Sequence, residues 1–376
     1  MAHSRKLGLI VNPIAGMGGR VGLKGTDGKE ILARARDLGA TPVSPARTIE
    51  ALREIAKVAD SIELVTYPFD MGEEEARECG FHPTVVGSIT KSETTAADTM
   101  NAATEMLKCQ VDLILFAGGD GTARDVCKSI GRNVPALGIP SGVKIHSAVF
   151  TINPRKAGEL AVKFLQGEAS LCEAEVMDID EQAFREGRLS AQLCGYLKVP
   201  YESESVQPSK SASFATPDEE TSQGLIAQCI LERMEDGCYY ILCPGTTVKA
   251  VADKLGVPKT LLGVDLIYEG ALVGSDLNEQ QLLELIGRNK AKIIVSPIGR
   301  QGFIFGRGNP QISPAVIRKV GRQNILIIAT SGKLSSIGLG RPLLVDTGDE
   351  ETDRMLSGYA RVVTGYDEEV VVKVSS

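Results

Sequence analysis

The chain has 376 residues, room for two or three domains and for a large core without disulfides or metal staples. Its 41 basic and 48 acidic side chains leave a formal charge of -7, which argues against a general nucleic-acid binder with its basic surplus or stripe. Trp is absent and aromatics total 5%, so an aromatic platform for single strands is excluded, while a local basic pocket for phosphates is not.

The N-terminal apolar stretch, residues 7–11, runs into Asn12-Pro13 and is too short for a secretory signal. No window approaches 18 uninterrupted apolar residues, so a protein away from the membrane and in the cytoplasm is expected. The 8 cysteines are scattered without a C-x-x-C pair, and the histidines are His3, His82 and His146. No metal site is assigned; the cysteines read as small buried hydrophobes in a reducing compartment.

Residues 6–13 (KLGLIVNP) read as a buried parallel strand, an apolar run ending in turn residues. After a glycine-rich stretch, helices are predicted over 29–38 and 48–58, then a strand over 61–67. Residues 92–107 carry helical periodicity from Ser92, with Thr95 at the capping-box position and no acid there. VDLILFAGGDGT (111–122) reads as a strand and tight turn, followed by a helix over 123–130 and a strand over 136–139. This β-α-β-α order predicts a parallel sheet with helices on both faces.

The character changes near residue 151. A helix over 154–166 precedes strands over 174–179, 188–199 and 238–243. Residues 202–223, rich in Ser, Pro, Thr and acids, suit a solvated loop or mobile hairpin. Helices over 246–255 and 278–288 and strands over 292–297, 324–330 and 369–374 follow, without internal repeat. The expected domains are 1–150, α/β and nucleotide-binding, and 151–376, mixing strands and helices. The C-terminal strand can return to either.

FAGGDGT (116–122) is the most informative segment. An apolar strand delivers Gly118, Gly119, Asp120, Gly121 and Thr122 to its carboxyl end, and a helix follows directly. Glycines let the backbone turn tightly and approach a ligand, and the helix N-terminus offers N–H donors, so phosphate is the natural guest. Asp120 stands where an acid does not help hold phosphate. It suits a general base toward a hydroxyl or an indirect magnesium ligand; the plainer alternative is a tight βα turn whose Asp caps the helix.

Two more glycine loops follow strands: VNPIAGMGG (11–19), with Asn12 and Gly16, and GIPSGVK (138–144). Three such loops would line one crevice at the carboxyl ends of a parallel sheet. A P-loop NTPase is excluded because no G-x-x-x-x-G-K-[ST] occurs. A Rossmann dehydrogenase is disfavoured, because Val21 holds the third glycine position of its fingerprint.

Strand-GGDGT-helix, with N-P-x-x-G-x-G before it and G-I-P-x-G after it, resembles the NAD kinase and diacylglycerol kinase superfamily. It is closer still to the ATP-NAD kinases, which include an acetoin-catabolism relative. The resemblance extends to 177–181, 244–256, 296–310 and 341–349. It implies an N-terminal phosphofructokinase-like parallel-sheet α/β domain and a β-rich, acceptor-binding second domain, with catalysis in the cleft between them. It implies transfer of the ATP γ-phosphoryl group to the adenosine ribose 2′-hydroxyl of NAD, with Mg2+, giving NADP. Asp120 would be the base, and Gly118, Gly119, Gly121 and Thr122 would cradle phosphates. Asn12 and Gly16 would approach the ATP. Small nucleotides are the expected partners, in a homo-oligomer without nucleic acid or membrane.

Departures from the family pattern are equally specific. NAD kinases carry an Asn-Glu pair at the start of the second domain, whereas here Asp178 and Asp180 in MDIDE are the nearest acids. They orient a ribose hydroxyl or merely end a surface strand. The literal pair Asn278-Glu279 lies far downstream and reads as a helix cap. PGTT (244–247) resembles the T-G-S-T turn of the family, so Gly245, Thr246 and Thr247 suit a phosphate or ribose, or form an ordinary N-cap. Where relatives carry Thr and Asn, this chain has Val143 and Ile145; Lys144 could supply charge there, or be a plain exposed lysine. Arg300 and Arg307 flank a glycine loop and suit phosphate clamping or solubility. The competing functions are a kinase of another alcohol, a lipid or small hydroxyketone, and a nucleotide sensor of the same fold. Asp120 argues against the sensor, and the acidic balance gives the lipid no support.

Overall fold

A computed structural model describes residues 5–23, 25, 28–143, 145–179, 191–202, 205–208, 217–338 and 340–376. Its contacts divide the chain into two compact units, 1–18 with 25–209 and 19–24 with 210–376.

The first unit is built on β1 (Arg5–Val11), β2 (Ile62–Thr66), β3 (Thr84–Val85), β4 (Leu113–Gly118) and β5 (Ala136–Pro140). They lie in the order β3-β2-β1-β4-β5, every pair parallel. All residues of β4 and β5 are buried, as unbroken apolar runs must be when helices cover both faces. The helices are α1 (Lys29–Asp37), α2 (Ser44–Ala56), α3 (Glu73–Glu78), α4 (Ala96–Lys108), α5 (Asp120–Ile130) and α6 (Pro154–Leu165). α2 packs with α6, and α4 with α5. On α2, Ser44, Arg47, Thr48, Ala51, Leu52 and Ile55 recur at helical spacing and are buried. Burying Leu52 and Ile55 contributes about 1.5–3 kcal/mol each.

Helix α4 starts later than its periodicity predicts. Thr95 is the N-cap, and Asp98 supplies the acid, its Oδ2 accepting from Thr95 N at 2.8 Å and Thr95 Oγ1 at 2.7 Å. Reading the cap at Ser92 misplaced the box by three positions. β6 (Ser170–Ile179) and β7 (Ala191–Tyr201) form an antiparallel ribbon packed against α5. The change of character near residue 151 therefore falls inside the first unit.

The second unit carries α7 (Pro217–Glu232), β8 (Tyr239–Leu242), α8 (Thr246–Leu255), β9 (Asp265–Tyr268), β10 (Ala271–Gly274), α9 (Glu279–Ile286), β11 (Ala291–Val295) and β12 (Phe303–Phe305). It continues through α10 (Pro314–Val320), β13 (Ile325–Ile328), α11 (Ser331–Ile337), β14 (Leu343–Val345), α12 (Glu350–Leu356), β15 (Gly358–Gly365) and β16 (Glu368–Ser375). Its sheet has the order β10-β9-β8-β11-β13-β15-β16-β14-β12, and β8, β11, β13 and β15 run parallel at its middle. Side chains alternate between two cores, as the strand period of two requires. Tyr240, Leu242, Ile294 and Ile328 meet Ile226 and Ile230 of α7 and Val248 of α8. Ile241, Ile293, Val295 and Ile327 meet Leu282 of α9 and Val316 of α10.

Three expectations resolve here. Residues 217–223, predicted as loop or hairpin, open α7, and Asp218, Glu219 and Glu220 in its first turn complement the helix dipole. The C-terminal strand, β16, pairs with β15 and β14 in the second unit. Asn278 caps α9 in a reciprocal box with Gln281. Among the described residues, no helix is long and apolar enough to cross a membrane.

Candidate active site

In the first unit the strand order reverses between β1 and β4, with β2 and β3 on one side and β5 on the other. Chain segments leaving the carboxyl ends of β1 and β4 diverge, which opens a crevice where ligands of open α/β sheets gather. The Asn12 loop and the GGDGT loop are the segments that leave there.

These loops are wired together. Asn12 donates its backbone N–H to Ala117 O (3.0 Å) and its Nδ2 to Thr122 Oγ1 (2.9 Å), and its Oδ1 accepts from Ile14 N (3.3 Å). A Cβ on Gly118 would stand 2.3 Å from Thr122 Oγ1, so only glycine permits that contact. Gly118 O accepts from Ser141 N (2.9 Å) and Gly142 N (3.0 Å), bringing in the loop after β5. Gly16, at φ +81°, completes the set: a Cβ there would lie 2.0 Å from Ser141 O. Backbone at 16 and the Thr122 side chain at 118 thus dictate glycine before any ligand is considered.

Asp120 is the first residue of α5, behind the N-cap Gly119, which has no side chain to cap with. It is buried, and its carboxylate reaches the third loop: Oδ2 accepts from His146 N (2.8 Å) and Oδ1 from Ser147 N (2.9 Å). His146 Nδ1 lies 3.4 Å from Oδ2. Both oxygens hold residues 146 and 147, just past the third loop, so Asp120 anchors the end of that loop rather than capping its own helix. Each oxygen keeps a second lone-pair direction. The N–H groups of 120–122 open α5 with no intrahelical acceptor, the arrangement that suits an anion. Gly121 faces open space, with Arg124 Nη2 at 4.0 Å the nearest atom to a Cβ built there. Gly119 is tighter, 3.2 Å from Gly142 Cα on the same construction.

Arg124 escaped the sequence reading. Its Nε donates to Asp125 Oδ1 (3.0 Å), and its Nη1 to Asp178 Oδ1 (3.1 Å) and Oδ2 (3.2 Å). Burial works against its charge, but Asp125 and Asp178 outweigh that and hold the guanidinium firmly protonated. Asp178 therefore ties β6 to α5. The signal was A-R-D directly after GGDGT, which puts Arg124 one helical turn beyond Gly121. Lys144 and Asp180 lie outside the described residues.

In the second unit, Gly245 is the N-cap of α8 at φ +122° and donates its N–H to Leu261 O at 3.0 Å. Thr246 is exposed. Thr247 is buried, and its Oγ1 accepts from Lys333 Nζ (2.8 Å), which also donates to Ser296 Oγ (3.0 Å). Thr247, Ser296 and Lys333 follow β8, β11 and β13, three adjacent parallel strands. Lys333 was missed because its partners are 86 and 37 residues away.

Behind the Gly245 turn, Lys259 Nζ and Asp265 Oδ2 form a fully buried pair at 2.9 Å. Lys259 also donates to Gly263 O (2.9 Å), and Asp265 accepts from Thr260 N and Asp276 N, both at 2.7 Å. Burial lowers the ammonium pKa of Lys259 against the pull of Asp265. For Asp265 burial acts upward, but Lys259 and the N–H donors win and hold the carboxyl below its ordinary range. The neighbouring Cys243 thiol is pushed up to about 12 by burial. Arg307, which the sequence assigns to phosphate clamping or solubility, is buried, pairs with Asp346 at 3.3 Å and lies 4.4 Å over the Phe303 ring. Arg300 is exposed at φ +63°.

The family model for the ATP-NAD kinase N-terminal domain matches residues 7–169, and that for the ATP-NAD kinase C-terminal domain matches 235–374. Neither the curated proteins nor the solved structures offer a match. The parallel five-stranded sheet and the separate, mostly β second sheet agree with the two-domain architecture that these matches imply.

Proposed function

Because the chain belongs to the ATP-NAD kinase family, we propose that it transfers the γ-phosphoryl group of ATP to the adenosine ribose 2′-hydroxyl of NAD, giving NADP. The observation that carries this reading is the GGDGT loop at the reversal between β1 and β4, braced by Asn12 and Gly16. The reaction is chiefly a matter of positioning and charge neutralisation. The N–H groups of 120–122 receive the phosphates, and Asn12 fixes Thr122 beside them. Asp120 takes the acceptor hydroxyl's proton on a lone pair that His146 and Ser147 leave open. Gly245, Thr246 and Thr247 serve the acceptor dinucleotide.

Magnesium fits this site as the ion that arrives on the nucleotide. Among the described residues no group of three or more His, Cys, Asp or Glu could hold a metal, and Asp125 and Asp178 are paired with Arg124. Such an ion is held by phosphate oxygens and water, and it supplies charge neutralisation. Activity should therefore vanish in excess EDTA; full activity there would contradict the requirement.

A panel of acceptors with ATP and magnesium, followed by ADP release, tests the function. NAD should turn over. Robust turnover of a lipid or a small hydroxyketone, with none of NAD, would reject the proposal.

A further inference from the structure

We infer that Arg124 is the cation that meets the phosphate chain at the GGDGT loop, its ligand class being a nucleoside triphosphate or a bare polyphosphate. The inference rests on the reading of that loop as a phosphate site.

Position comes first. Gly121 and Arg124 are three apart on α5 and so share a helix face, and Arg124 Nη2 is the nearest atom to the space that a side chain at 121 would fill. Glycine there is not demanded by protein packing, in contrast to Gly118. What the missing side chain leaves open is a space bounded by the first turn of α5 and by a guanidinium edge.

Orientation comes second. Arginine binds phosphate well when its planar fork is already fixed, because little rotamer freedom is then lost. Here Asp125 holds Nε and Asp178 holds Nη1, while Nη2 donates to no acceptor among the described residues. Two carboxylates thus orient the fork and leave one amino group directed past Gly121. Arg47, which also reaches this end of the sheet, is buried and donates its Nε to Pro140 O at 3.0 Å. With no P-loop lysine in the chain, Arg124 supplies the charge that clustered phosphates require.

A staple that only joins α5 to β6 would use the same Asp178 contact, so the test must separate the two roles. Arg124→Met, Asp178→Asn and the double variant are compared in the full chain by thermal denaturation and by calorimetric titration with MgATP and with magnesium tripolyphosphate. Arg124→Met should weaken MgATP roughly 10–100-fold, the worth of a charge-assisted bond. Asp178→Asn should weaken MgATP less than Arg124→Met does, because the cation stays and Asp125 still holds its Nε. The double variant should regain part of the stability that Arg124→Met loses, because no unpaired carboxylate is left at 178, yet stay weakened toward MgATP, because the cation is still missing. Parallel weakening toward tripolyphosphate would show that the phosphate chain alone suffices. Wild-type affinity in the double variant would overturn the role of Arg124 and leave the loop reading intact. Failure of the wild-type chain to bind either ligand would overturn the loop reading itself.

Discussion

Gly118 and Gly121 stand three residues apart in one loop and answer to different demands. Alanine at 118 drives a Cβ to 2.3 Å from Thr122 Oγ1 and breaks the bond from Asn12, so it should cost about 1–3 kcal/mol as overpacking does. Alanine at 121 meets nothing closer than 4.0 Å. It should leave stability unchanged or raise it by up to about 1 kcal/mol, as Ala gains over Gly in a helix, while weakening ATP binding. Urea denaturation and nucleotide titration of both variants check this; Gly121→Ala with wild-type affinity would remove the ligand from that space. Asp120→Asn should fail in both respects. An amide can offer only one oxygen to the two N–H groups of His146 and Ser147, so about 1.5–3 kcal/mol of stability should go with the lost charged acceptor. Turnover should fall roughly 10²–10⁴-fold, the usual share of a positioned base. A variant as stable as wild type would show that the third loop holds without this carboxylate.

Helix α3 carries a pH dependence of its own. Glu75 is 3% exposed, and burial, helped by Glu74, Asp70 and Glu78, raises its carboxyl from 4.5 to about 7. The folded pKa lies above the unfolded one, so the native state holds this proton more tightly. The contribution to stability is full below about pH 4.5 and is lost as pH rises through about 7. Glu75→Gln keeps a neutral side chain at every pH. It should match wild type near pH 5 and exceed it near pH 8 by at most about 3 kcal/mol. Melting temperatures across that range decide the matter, and parallel profiles would refute it. The elements themselves were legible to different degrees. β4 and α5 were plain, because an apolar run ending in glycines permits one local geometry. α7 was not, because Pro, Ser, Thr and acids compose both a solvated loop and the first turn of a helix. α4 was found but started too early, since Ser92 and Thr95 are both good caps and only Asp98 distinguishes them.

At the scale of the whole molecule the chain divides into two units, and the second takes residues 19–24 from within the glycine-rich stretch after β1. Arg20 O there accepts from Glu279 N at 3.1 Å, and Gly22 lies against Asn278. Donor and acceptor roles fall, in the proposed function, to turns more than a hundred residues apart. Gly245 has φ +122° and open space around it, so Gly245→Val costs conformational strain of about 1–3 kcal/mol rather than a clash. In stably folded protein it should raise KM for NAD far more than for ATP, as lost acceptor binding does. Gly119→Val should damage ATP use and turnover together; equal effects of both variants on both substrates would refute the division. The sequence by itself determined the alternation of strands and helices in the first unit, short of α3 and β3, together with the glycine loops and the family, because each is written in adjacent residues whose backbone demands are local. Only the tertiary structure decided that Asp120 anchors the third loop, that Asp178 belongs to Arg124, that Arg307 is buried on Asp346 and that Lys333 joins Thr247 to Ser296. Those partners stand tens of residues apart, and a charged or hydroxyl side chain carries no local mark of the strand end it will meet.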